Sequence, residues 1–265
     1  MDMNDDVEFQ EVELTDYIAG GGKLGAPANA NARYRAEILR LMAVFVDSEM
    51  AGASGFADSI NWGPGLKDRM IAARIALEKF GHAERVLKVM EEFGANTARY
   101  VKQHPWNKRL DRNVDLGTQR IEGDMRLNVF HYPLTDWCDA VTMNTLMGCA
   151  TVIYLKEGIN CSYQPLADVF AEILPVEARH ARLGEAGLRQ LLAEGYDRAA
   201  TQASVDYWYP RVASTFGRAS SDHFDAYRRY GLRQRSNEEL CASWQAEAKR
   251  ILTGLNLDVP QATSE

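Results

Sequence analysis

The stretch "VEARHARLG" places Glu177 three residues before His180. On a helix that spacing projects a carboxylate and an imidazole from one face, a pairing suited to metal binding or proton exchange. Alone it is weak evidence, because a Glu-x-x-His on a helix is more often a surface pair. A second stretch, "EKFGHAERV", holds His82 within an apolar-periodic segment. Three places before it stands Lys79, with Glu78 alongside, where a helical metal site usually carries a carboxylate. Glu49 follows "LMAVFVDS" and leans towards an apolar stripe. A lone carboxylate buried there costs several kcal/mol unless it is paired or metal-bound.

Helices must position these groups. From Arg33 to about Ala53, Ile38, Leu39, Leu41, Met42, Phe45 and Val46 recur at three and four. "GASGFADSINWGPG" then reads as a break. A second helix is expected from about Leu66 to Phe93, and a third from about Leu134 to Lys156. The third is apolar on almost every side and therefore buried all round. The fourth runs from about Pro165 to Glu194, with a kink or a new start expected at Pro175. Further helical pieces follow residue 195, the last opened by a Ser236/Glu239 capping box. Period-two strand patterns and repeats are missing. The expectation is an all-α chain with a loose acidic segment over 1–30, one helical domain over 31–255 and a frayed tail over 256–265.

Composition narrows the class. The chain has 265 residues and a net charge of −7 with no long basic run, which speaks against nucleic acid. Its longest apolar run, "LMGCATVIYL", is about half of the ~20 residues a membrane span needs, so no membrane is expected. The acidic start "MDMNDDVEFQEVEL" does not read as an export signal. The four cysteines have no CxxC spacing and read as reduced, with Cys149 as a core residue. A cytoplasmic location is expected.

Two helices each carrying Glu-x-x-His, with one carboxylate from each of two more, form the di-iron site of ferritin-like bundles. The order Glu49, His82, buried third helix, Glu177 and His180 follows that pattern. Residues 46–94, "FHYPLTDWCDAVTMNTLMGCA" and "YQPLADVFAEILPVEARHARLG" resemble the phenylacetic acid catabolic protein family, specifically its catalytic epoxidase subunit. Ser48–Glu49, the "NW" before the second helix, the "GH" within it, the "DW" opening the third and the Glu-x-x-His of the fourth carry the resemblance, over roughly Arg33 to Gly187. It implies a ferritin-like four-helix bundle with added C-terminal helices. It also implies iron as cofactor, an aryl-CoA thioester and O₂ as substrates, a separate reductase, and homo- or hetero-oligomers with a ferritin-like partner subunit.

Carried over by position, Glu49, His82, Glu177 and His180 occupy ligand places. The other two places hold Lys79 and, without gaps, Gly148; Asn144 and Asp139 are weaker stand-ins. Two carboxylates and one ammonium would leave a surplus of about +3 with two divalent ions, and like charges ~4 Å apart repel by about 4 kcal/mol even at an effective dielectric of ~20. A normal dinuclear centre is not expected. Three states stay open: a metal-free site with Lys79 bridging Glu49 and Glu177, a single ion on the four ligands, or two ions with Glu78 brought round by a π-bulge. If the chain is active, Glu49 and Lys79 are its catalytic candidates, Lys79 as an acid or electrostatic anchor. The leading functional expectation is an epoxidase-like protein of aromatic catabolism with a degenerate site. A non-catalytic structural subunit and a diverged metal oxygenase are the alternatives. Trp62, Trp106, Trp137 and Tyr207–Trp208–Tyr209 read as packing residues, and Lys108, Arg109 and Arg112 as a polar loop that could meet coenzyme A phosphates.

Overall fold

The computed structural model describes residues 13–261 except 104, 120, 122, 220 and 221. After a short helix, α1, over 13–19 come α2 (Ala32–Ser59), α3 (Leu66–Glu92), α4 (Thr97–Tyr100), α5 (Trp137–Gly158), α6 (Gln164–Ala193), α7 (Arg198–Ala213), α8 (Asp222–Arg229) and α9 (Asn237–Gly254). No strand occurs among the described residues; one isolated bridge joins Leu24 and Tyr163. The fold is all-α, and the ferritin-like expectation fits it.

The four long helices form two hairpins. Short connections turn α2 back into α3 and α5 back into α6, and each pair packs along its length. α3 also packs on α6, which brings the hairpins together, while α7 and α9 lie against α5. α5 is therefore enclosed, with most of its side chains buried. Its start is fixed by Asp136, whose side chain accepts the Asp139 N–H, so the helix opens at Trp137 rather than at 134. One core cluster joins α5, α7 and α9 around Trp208 and Trp244; a second joins α1, α2, α3 and α6 around Tyr34, Ile38 and Leu166.

Three backbone expectations are corrected. The first helix does not break at "GASGF" but runs to Ser59. A Cβ on Gly52 would lie 3.1 Å from the Phe130 ring, and one on Gly55 would lie 3.4 Å from Arg109, so these glycines admit neighbours rather than end the helix. Pro175 neither splits α6 nor starts a new helix; α6 runs unbroken through it. Pro175 and Ala171, whose carbonyl loses its partner, both sit on the exposed side, where water can serve it. The chain ends are also better anchored than expected: Leu14, Ile18, Leu24 and Leu257 are buried. Residues 1–12, the rest of the acidic start, lie outside the described residues.

Candidate functional site

Glu49 on α2, Lys79 and His82 on α3, and Glu177 and His180 on α6 converge between the hairpins, each at most 5% exposed. The apolar periodicity of α2 and α3 turns these polar residues inward with their neighbours. Gly52 clears space for the lysine stem, since a Cβ there would stand 3.5 Å from Lys79 Cδ.

The Lys79 ammonium donates to Glu49 Oε1 at 2.9 Å and to Glu177 Oε1 at 3.0 Å. His82 Nδ1 lies 3.0 Å from both Glu49 Oε2 and Glu177 Oε1. His180 Nδ1 lies 3.2 Å from Glu177 Oε1, and its Nε2 lies 2.6 Å from Glu78 Oε2. The other Glu78 oxygen accepts from Arg179 at 2.6 Å. A continuous hydrogen-bonded cluster thus crosses the molecule from the half-buried Glu78 to Glu49.

Electrostatics favour the charged forms of Lys79, His82, Glu177 and Glu78. Burial works against the Lys79 charge, yet the Glu177 and Glu49 carboxylates outweigh it and raise the ammonium's pKa. Burial likewise opposes ionisation of Glu177, and Lys79, His180 and His82 together hold it well below the usual carboxylate range. His82 is raised: desolvation is overcome by its bonds to Glu177 and Glu49. Glu78 is lowered, because His180 and Arg179 outweigh its partial burial.

The donor set decides how a metal would fit. Glu49, His82 and Glu177 offer ligand atoms within 4.8 Å of one another, the geometry of a candidate metal triad. Both Glu49 oxygens are, however, already engaged, one by Lys79 and one by His82, and the Glu177 oxygen that faces the triad accepts from Lys79. A cation between the carboxylates would stand against the ammonium. The residues present do not fit a pair of divalent ions.

The remaining candidates divide cleanly. Glu78 does not enter the centre, and α3 has no π-turn to carry it there; it reaches His180 from the solvent side instead. Gly148 offers no ligand place, because its missing Cβ would lie 2.9 Å from Ala181 Cα where α5 and α6 cross. Asn144 donates to the His180 carbonyl at 3.0 Å and so braces the site from outside. Asp139 is remote and fully engaged by Arg112, Thr135, Ser204 and Trp208. Arg109 and Arg112 are engaged within the chain: Arg109 donates to the carbonyls of Ala51 and Trp106, and Arg112 to that of Pro133. Trp208 and Tyr209 are core, but Trp62 is 37% exposed. The Cys149 thiol is buried, which pushes its pKa up to about 12.

Sequence reasoning missed a cavity of about 710 Å³ whose inner wall includes Ser48 and Glu49. Leu41, Val44, Phe45, Met147 and Phe216 line it, and Arg40, Arg218 and Arg233 stand along it on α2 and the segments flanking α8. No periodicity could reveal it, since its walls come from elements far apart in the chain.

A family model described as phenylacetic acid catabolic protein matches residues 16–265. The chain belongs to that family. The match extends past Gly187 and takes in α7, α8 and α9, beyond the stretch whose motifs were legible. No curated protein matches the chain significantly.

Proposed function

We propose that the chain is a non-oxygenating subunit of phenylacetate catabolism in the cytoplasm. It keeps the ferritin-like frame, neutralises its centre with Lys79, and works beside a subunit that activates O₂. The observation behind this reading is the Lys79 ammonium, bonded at 2.9 and 3.0 Å to two of the carboxylates an iron pair would use. With Lys79, His82 and the two glutamates charged, the centre balances without an added ion. The test is iron analysis of protein purified without chelators, with O₂ consumption measured on phenylacetyl-CoA and a reductase. Substoichiometric iron and no substrate-coupled O₂ uptake are expected; two irons per chain would refute the reading.

The cavity favours a second role, as a binding site for an aryl-CoA thioester. Its volume lies within the roughly 300–1,000 Å³ of small-molecule sites. Its apolar wall suits an aryl acyl group, and arginines suit phosphate. Calorimetric titration should show phenylacetyl-CoA binding more tightly than coenzyme A alone. Equal affinities would remove the aryl pocket from the account.

A further inference from the structure

The cavity beside Glu49 is long. Its wall takes in Leu41 to Glu49 on α2 and Met147 to Gly158 on α5, a helix rise of about 12 Å on the first and about 16 Å on the second. Ser48, Glu49 and Met147 mark one end, and Glu157, Gly158 and Arg233 mark the other. Val44, Phe45, Tyr154 and Phe216 line the space between. A single aromatic ring is much shorter than this.

Arg233 is a cation without an anion. Its Nη2 donates to Asn237 Oδ1 at 2.6 Å, the guanidinium's one hydrogen bond among the described residues, and its Nε is wholly buried with no acceptor. Glu157 stands near, but its Oε1 accepts the N–H groups of Gln234 and Arg235, and Arg233 makes no ion pair among the described residues. Arg179 and Arg211 also bury an unpaired Nε. Glu78 holds the first of these, however, and two backbone carbonyls hold the second.

The group is also fixed in place. The rings of Phe224 and Tyr227 lie 4.8 and 5.8 Å from its central carbon. Asn237, itself 7% exposed, is anchored by donating its Nδ2 to the Arg218 carbonyl at 2.6 Å. Burial pushes the Arg233 pKa below its usual value, so its charge lacks solvation that an anion would restore.

Charge selects the anion. A guanidinium fork matches carboxylate and phosphate alike. A phosphate dianion brings a second charge, and burying a charge without a partner is costly. The cavity wall supplies one half-buried guanidinium, since Arg40 and Arg218 are exposed. A carboxylate balances that single cation, and the apolar length behind it takes a chain.

We infer that the cavity holds an elongated apolar monocarboxylate of the fatty-acid type, with its carboxylate on Arg233 and its chain lying between α2 and α5 towards Glu49. The inference goes beyond the thioester reading, which its own titration judges separately. The test is calorimetric titration of the full chain with decanoate, decanol, decyl phosphate and phenylacetate. Decanoate is expected to bind once per chain, about tenfold or more tighter than each of the others, as for a hydrogen bond to a charged group. Arg233→Gln should reduce decanoate to the affinity of decanol and leave that of decanol unchanged. Arg218→Gln, at an exposed cation, should change neither by more than about threefold. If Arg233→Gln does not fold, the comparison of acid with alcohol on the native chain still decides. The inference is overturned by no decanoate binding, by equal affinities for decanoate and decanol, or by tighter binding of decyl phosphate or phenylacetate. A folded Arg233→Gln chain that keeps full affinity for decanoate overturns it as well.

Discussion

Two buried polar centres flank the fold and are built on opposite plans. Around Asp139 at the start of α5, one carboxylate gathers Ser204 at 2.7 Å, Trp208 at 3.0 Å, Thr135 at 2.7 Å and a partly exposed Arg112. All but Arg112 are neutral donors. Between the hairpins, two carboxylates, a lysine and two histidines satisfy one another almost entirely through ionisable groups. The first plan ties α5, α7 and the preceding loop together and tolerates the loss of a donor. The second depends on every charge being present, and it borders a cavity. A polar centre made only to join helices does not need five titratable side chains.

Removing one cation from each centre should separate them most sharply. Lys79→Met leaves two buried carboxylates with only His82 to balance them and should cost about 3–5 kcal/mol, read as a lowered denaturation midpoint. Lys79→Glu should be similarly unstable alone and regain stability when ferrous or cobaltous ion is added, as binding to the folded state requires; no metal-dependent shift would count against a ligand place at 79. Arg112→Met should cost less, about 1.5–3 kcal/mol, because three neutral donors still serve Asp139. Gly148→Ala should cost about 1–3 kcal/mol by overpacking against Ala181, with no change in metal affinity.

The smallest effect is the pH dependence: both centres hold a depressed carboxylate, Asp139 in one and Glu177 in the other, but only the histidine centre responds towards alkaline pH. Glu177 and Glu78 are depressed in the fold, so their contribution is complete above about pH 4.3 and fades as pH falls through their folded values. His82 is raised, so its contribution is complete below about pH 6.5 and is lost as pH rises through its folded value. Calorimetry from neutral to mildly alkaline pH should show declining stability, and His82→Gln should flatten that slope. Arg112→Met should leave it unchanged.

Much of this was written locally in the chain. The long helices follow from apolar residues at three and four, and α9 starts at Ser236 through the Ser236/Glu239 capping box. Glu49, Lys79, His82, Glu177 and His180 share the buried faces that their spacing assigns. What escaped is set by contacts between distant segments. "GASGF" looks like a break because its glycines are read without Phe130 and Arg109, which they admit. Gly148 looks like a vacant ligand place until Ala181 is set against it. The basic cluster looks available to a ligand, but Arg109 and Arg112 are drawn inward by carbonyls and Asp139. The outer role of Glu78 depends on Arg179, whose helix meets α3 only through tertiary packing.

The ammonium held beside Gly52 has a consequence for how the protein matures. A central cation supplied by translation is present as soon as the helices close around it, with no delivery from a metal pool. If the centre is metal-free as proposed, iron starvation or a chelator cannot hollow out the fold, and no redox ion stands there for reactive oxygen to attack.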